Sequence, residues 1–431
     1  MALLALTDTT FTEVSLGVYG QAGDYRNIYD PETLAGGVLK AESRLRQDSV
    51  FLYGRFGYGY DYGTGSRWRG WVNPYQTPFM AADSVAGPVS LEKYSMEAGI
   101  AAPAGRFVFG AGAAYDVALM AKHRDLRNKN TLMEFRIAPG VLYRGRSIDL
   151  GLDLGYVRGT ERVEYIQVVE SVERYLFDVY GLWLAQSTGF SSAEKRRMKE
   201  SDTFFGDFRV RLRMGSLLLD NNFHAGYEVT RQGEVGYNNL LFGDTRSLAY
   251  TDNLDLRFGR GHCISASYSV STMQGFRYLQ RQELDEASSV RSWVTYGDPV
   301  HCYYRSLSRE DLSYTLSRRM KFTAGLSALQ FYHTYTEYPL VLLQSFTELK
   351  PYLRFVIPAG RSLTVSPDLW VSHIGKHDTI MNNLQLYAPM KEEWDYWVSD
   401  SLGGRLQLEW RPGRMFLRLA YGLDCRMKFD A

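Results

Sequence analysis

Nowhere in the 431 residues is there an apolar run of the roughly 18 residues that a membrane-spanning helix needs. That excludes helical spans but not strand-built ones. Half of every barrel strand faces a wet lumen, which keeps mean hydropathy negative, as it is here. Excess charge is also missing: a net charge of +1 leaves no electrostatic footprint for nucleic acid. Cysteine is scarce, and Cys263, Cys302 and Cys425 lie far apart with no CxxC spacing. Neither a disulfide framework nor a thiolate metal site is indicated. No basic segment precedes the short apolar stretch MALLAL (1–6), so the chain shows no export signal where it starts. Aromatic residues and glycine are abundant instead: 31 Tyr, 22 Phe, 8 Trp and 40 Gly, against only 13 Pro.

These residues are arranged with a period of two. In YGRFGYGYDYG (53–63), Phe56, Tyr58, Tyr60 and Tyr62 share one face and Arg55, Gly57, Gly59 and Asp61 the other. In IDLGLDLGY (148–156), a row from Ile148 to Tyr156 opposes Asp149 and Asp153. In FRVRLRM (208–214), Phe208, Val210, Leu212 and Met214 oppose Arg209, Arg211 and Arg213. The same contrast sets Leu256 against Arg257, Leu406 against Arg405, and Leu417 and Leu419 against Arg418. A helix of 3.6 residues per turn would scatter these sets around its circumference, so the segments are strands.

Strand length decides between a soluble sheet and a membrane barrel. Globular strands average about 5–6 residues, whereas a tilted strand needs about 9–11 to cross a bilayer, and these runs meet the longer figure. Short turns recur near 46–49, 103–106, 144–147, 214–216, 259–262, 317–320, 358–361 and 411–414. Longer connections span 122–130, 168–201, 231–246, 281–301 and 376–396. That asymmetry matches the short periplasmic turns and long extracellular loops of outer-membrane barrels. Closure would leave no backbone polar group unpaired in lipid. The expected fold is all-β: a transmembrane antiparallel up-and-down β-barrel, integral to a bacterial outer membrane, forming one domain over 1–431. It has about 16–18 strands, with about 17 segments in this chain, and an odd number implies a further closing strand. In it, Tyr58, Tyr60 and Tyr62 belong to the outward aromatic girdle.

One hairpin can be read to the residue. A two-residue loop at Gly215–Ser216 sets Met214 opposite Leu217. Phe208 then faces Phe223 and Leu212 faces Leu219 on the lipid side, while Arg211 meets Asp220 and Asp207 meets His224 in the lumen. The candidate lumen-lining residues are accordingly Arg55, Asp61, Asp149, Asp153, Asp207, Arg209, Arg211, Asp220, His224, Arg257, Arg405 and Arg418.

The opening strand leading to GDYRN (23–27), the hairpin KYSMEAGIAAPAGRFVFGAGAAYDV (93–117) and the connection YLFDVYGLWLAQSTG (175–189) together carry a resemblance. The chain resembles an uncharacterised outer-membrane β-barrel family of Bacteroidales that carries a domain of unknown function. The resemblance covers nearly the whole chain through diffuse pattern rather than invariant motifs. It implies an exported protein with a signal peptide and a closing strand, from which this sequence is expected to depart at both ends, and it brings no catalytic or binding residues.

Candidate chemistry is sparse. His373 and His377 are four apart but bracket a strand end, so no metal site is expected, and no cofactor. Asp207 and His224 would be two members of a hydrolase triad, yet no serine is placed beside the base, and no enzyme is expected. The basic tracts KHRDLRNK (122–129) and EKRRMK (194–199) are candidates for contact with lipopolysaccharide phosphates. Connection 168–201 holds Tyr175, Leu176, Phe177, Tyr180, Leu182 and Trp183, too apolar for a free loop. It is expected to constrict the lumen, cap it, or pack against other loops or a partner. Tyr175, Phe177, Tyr180 and Trp183 are its candidate functional residues. Two readings follow: a porin-like pore or transporter for a small solute, or a structural barrel docking a surface lipoprotein, a transporter partner or an envelope complex. Outer-membrane lipid and lipopolysaccharide are the surroundings either implies.

Overall fold

The computed structural model describes residues 10–427 except 24–25, 170, 182, 184, 191–194, 235–239, 286–289, 338–339, 381–386 and 412–414. Its first strands are β1 (Phe11–Ala22), β2 (Thr33–Gln47), β3 (Val50–Ser66), β4 (Met80–Ala82), β5 (Gly87–Ala104), β6 (Phe107–Lys122) and β7 (Arg127–Arg144). Next come β8 (Ile148–Ile166), β9 (Arg174–Val179), β10 (Ala185–Phe190), β11 (Lys195–Met214), β12 (Leu217–Glu234), β13 (Leu241–Phe258) and β14 (His262–Arg277). The rest are β15 (Gln280–Asp285), β16 (Val290–Thr295), β17 (Val300–Ser317), β18 (Lys321–Glu337), β19 (Leu340–Pro358), β20 (Leu363–Ile380), helix α1 (Tyr387–Trp397), β21 (Asp400–Trp410) and β22 (Leu417–Met427).

Seventeen of these strands form one antiparallel sheet. Each pairs with the next barrel strand in the chain, from β1–β2 to β21–β22. β4, β9 and β10 form a separate three-stranded sheet, and β15 and β16 a two-stranded one, both within connections. This is the up-and-down order of a transmembrane β-barrel wall. Among the described residues no ladder joins β1 to β22.

The alternation sorts side chains to two faces. Leu16, Phe56, Met96, Phe135, Leu154, Phe204, Leu248, Leu326 and Leu406 stand exposed on the outer face. Aromatic pairs link neighbouring strands on that face, among them Tyr58–Tyr94 with centroids 5.1 Å apart and Phe223–Tyr250 at 5.0 Å. Such an apolar, ring-rich band is suited to lipid. Toward the short turns the inner face also carries an apolar cluster of Phe51, Ala101, Val108 and Leu142.

The seventeen wall strands run from 11 to 20 residues, longer than the roughly ten expected. Alternation continues past the lipid band, but there the outer face turns charged. Arg158 pairs outward with Glu200 at 2.8 Å and Asp202 at 2.7 Å. Consequently the connections expected at 122–130 and 231–246 shrink to 123–126 and 235–240, and 168–201 to 167–194. Connection 281–301 becomes 278–299 and carries β15 and β16; 376–396 becomes 381–399 and carries α1. Two further connections, 23–32 and 67–86, escaped the sequence reading.

Two glycines show how the inner face is packed. Tyr19 on β1 donates to Asp61 on β3 by passing over Gly36 on the strand between, where a Cβ would lie 2.7 Å from the ring. Tyr352 on β19 reaches Asp311 on β17 at 3.0 Å across Gly325 on β18, where a Cβ would lie 2.3 Å from the ring. Only glycine leaves room for these crossings.

Candidate functional site

Connection 67–86 leaves β3 and turns into the barrel. Asn130 Nδ2 on β7 donates to Gly70 O at 2.8 Å, and Val72 N donates to Glu161 Oε1 on β8 at 2.7 Å. Gln76 Nε2 donates to Glu228 Oε1 on β12 at 2.9 Å, and Arg305 Nη1 on β17 donates to Tyr75 O at 2.8 Å. A segment bonded to β7, β8 and β12 on one side and β17 on another lies within the curve of the sheet.

Connection 167–194 joins it there. β9 pairs with β4, Met80 opposite Val179 and Ala82 opposite Phe177, and β10 pairs with β9. Trp68, Trp71, Trp183, Tyr29, Leu176 and Met390 form one buried cluster. Trp183 stacks on Tyr29 at 5.7 Å and meets Trp68 edge-on at 5.3 Å. Both Trp68 (φ 59°) and Trp183 (φ 63°) have left-handed backbone. Side-chain-bearing residues hold that conformation only where surrounding packing imposes it.

α1 closes the arrangement. Arg67 pairs with Glu392 at 2.6 Å, and Trp183 Nε1 donates to Glu393 Oε2 at 2.6 Å. Four residues beyond Glu393, on the same helix face, Trp397 stacks on Phe331 of β18 at 5.7 Å with planes 5° apart. Burial pushes the Glu393 carboxyl up to about 7, against indole bonds from Trp183 and Trp397 that favour its charged form. Burial likewise raises the Tyr29 and Tyr75 phenols, which stay neutral.

Beneath this loop core lies a cavity of about 260 Å³, walled by Tyr29, Tyr75, Trp183, Tyr303, Phe331 and Trp397, with Glu393 and Arg305 at its edge. It shares Arg309 and Leu329 with a second cavity of about 570 Å³ along the inner wall of β17–β21.

The eleven charged residues and His224 singled out from the sequence fall on the strand face opposite the exposed apolar row. The predicted hairpin register is observed, with Met214 opposite Leu217, Phe208 opposite Phe223, Arg211 opposite Asp220 and Asp207 opposite His224. Asp220 is shared by Arg209 and Arg211 at 2.6 and 2.7 Å. Asp149 binds Arg213, and Asp153 is buried beside Gly140. Arg55 pairs with Glu97 at 2.9 Å, Asp61 with Lys93 at 3.4 Å and Arg257 with Asp255 at 3.4 Å. Arg405 pairs with Asp368 at 2.6 Å and Arg418 with Glu409 at 2.7 Å. Asp207 and His224 are 2.9 Å apart, with Thr251 rather than serine opposite the histidine. His373 binds Asp400 at 3.1 Å, and among the described residues no cluster of metal-ligating groups occurs.

Three cations of the basic tracts turn inward, away from the lipopolysaccharide expected to meet them, whereas Arg127 and Arg196 stay about half exposed. Lys122 is buried against Asp83 at 2.5 Å, Arg197 against Asp178 at 2.9 Å and Lys199 against Glu161 at 2.8 Å. The period of two carries these cations to the inner face, where they fasten the loops to the wall and cannot reach lipid. Removing one partner of such a pair costs about 3–5 kcal/mol. Of the loop candidates, Trp183 is buried, Phe177 packs on the cluster and Tyr180 lies under the Arg277 guanidinium at 4.3 Å. Tyr175 is exposed instead, and Leu182 lies outside the described residues. Sequence reasoning missed Trp68, Trp71, Glu393, Arg305 and Arg309. The stretch RWRGWVNPYQTPF (67–79) did hold a signal, four aromatic residues where the chain as a whole is 14% aromatic.

Residues 1–428 match the model of a family described as one of unknown function, DUF6850. No curated protein matches the chain. Among solved structures, the copper transporter OprC has a TM-score of 0.50 at 9% identity, covering 96% of this chain and 62% of its own. The outer membrane transporter YddB from Escherichia coli gives 0.41 at 8%, covering 90% and 63%. The RagAB peptide transporter gives 0.37 at 7%, covering 82% and 52%. The chain thus spans less than two thirds of the length of these proteins, and at such identities the likeness to OprC is one of fold. That fold is an integral outer-membrane β-barrel.

Proposed function

We propose that this chain, which belongs to the family of unknown function DUF6850, is a pore or transporter for a small solute, a single barrel domain with no catalytic role. The observation that carries the reading is the loop core. Three connections and a helix converge on the inner wall and leave a ring-lined cavity opening toward a charged one. A barrel serving only as a scaffold has no use for loops folded inward with a cavity beneath them. The eleven inner charges and His224 then line the solute's route, and a Bacteroidales origin is part of the proposal. The test is single-channel recording in planar bilayers. Wild type is expected to show small, fluctuating conductance, and Trp68→Ala/Trp183→Ala a larger, steadier one. A folded barrel that never conducts in either form would overturn the reading.

One observation favours docking as a second reading. Val168, Val169, Val172 and Tyr175 stand exposed together on connection 167–194, outside the loop core. Exposed apolar patches mark interaction sites. Stoichiometric co-purification of a surface lipoprotein, lost on Val168→Ser/Val169→Ser, would support it.

A further inference from the structure

The chemistry of the joined cavities narrows the solute class. The acidic groups facing the larger cavity are already engaged. Asp311 accepts from the Tyr352 hydroxyl at 3.0 Å, Asp368 is shared by Arg354 at 3.2 Å and Arg405 at 2.6 Å, and Glu348 accepts from Ser372. Arg309 lines both cavities and, among the described residues, has neither an ion pair nor a hydrogen bond. Its guanidinium offers a planar fork of donors suited to a carboxylate. Arg305, on the same face of β17, is spoken for by Tyr75 O at 2.8 Å and braces the ring wall instead.

The smaller cavity sets the other half of the requirement. Drug-sized ligands occupy about 300–1,000 Å³, so its volume of about 260 Å³ suits a single ring. Tyr75 keeps 36% of its surface exposed, and it meets Trp397 edge-on at 6.0 Å. The two rings form an open corner against which a flat or pyranose ring can rest.

We propose that the joined cavities bind a small cyclic carboxylate, its ring in the corner of Tyr75 and Trp397 and its carboxylate on Arg309. The inference rests on the pore reading for its purpose, whereas its test is binding alone. The purified protein in detergent is titrated calorimetrically with D-glucuronate, 4-hydroxybenzoate and neutral D-glucose. At least one acid is expected to saturate, with D-glucose about tenfold weaker or worse, the loss expected for a missing charged hydrogen bond. Which acid binds distinguishes an acidic sugar from an aromatic acid. Arg309→Gln should weaken the acid about tenfold, with partial recovery in Arg309→Lys. Arg281→Gln, on the exposed β15 strand, should change nothing. Absence of saturable acid binding to protein shown folded by its gel mobility, equal binding of D-glucose, or indifference to Arg309→Gln would each overturn it. Acid binding by a barrel that does not conduct would keep the site and remove the pore; conduction without binding would do the reverse.

Discussion

Trp183 and Glu393 stand 210 positions apart in the chain, yet the indole of one donates to the carboxylate of the other at 2.6 Å. That bond ties the β9–β10 connection to α1 through the middle of the loop core. Trp183→Phe keeps the stack on Tyr29 but removes the donor. Leaving a buried carboxylate short of a partner costs about 1–3 kcal/mol. Hydrogen exchange at residues 174–179 and 387–397 is expected to quicken together, and a response confined to one segment would contradict the coupling.

The same carboxyl makes the loop core pH-sensitive. Its value rises from an ordinary 4.5 to about 7, so the assembled core holds a proton that the opened core releases between those values. Stability of the core is therefore greatest below about 4.5 and falls as pH climbs through that window to about 7. Glu393→Gln should flatten the dependence, read as exchange protection of residues 174–179 across pH after correction for intrinsic rates.

Gly325 is predicted to be intolerant. A Cβ there would lie 2.3 Å from the Tyr352 ring, so Gly325→Val must swing the phenol off Asp311. Overpacking and the lost bond together are expected to cost about 1–3 kcal/mol. Tyr352→Phe alone should cost about 1 kcal/mol. Urea titration followed by the gel shift of the folded barrel measures both.

Asp220→Asn leaves the Arg209 and Arg211 guanidiniums without the carboxylate they share. Reversal potentials across a salt gradient are expected to move toward anion selectivity. An unchanged potential would mean that this part of the inner wall does not border the conducting path.

Strand identity and facing were legible because both follow from a period of two, a local property. The Gly215–Ser216 hairpin was legible to the residue, since turn length fixes register and the opposed charges of Arg211 and Asp220 agree with it. Strand ends were not. Alternation outlasts the lipid band, and outward ion pairs such as Arg158–Asp202 and Arg196–Glu164 mark where lipid gives way. The cavity was illegible for a different reason: Arg305, Arg309 and Glu393 acquire meaning from loops that approach them from far along the chain. Lys122, Arg197 and Lys199 read as surface charge because sequence shows their sign but not their buried partners.

The loop core also sets an order of assembly. Its cluster unites Ile28, Trp71, Trp183 and Met390, so its members become neighbours only after nearly every wall strand has paired. Contacts between segments so distant in sequence are slow to form. Docking of the loop core is therefore expected to follow pairing of the wall. A barrel stalled part-way would betray itself by conducting more than the finished one, and a narrowed mouth reports that the wall behind it is complete.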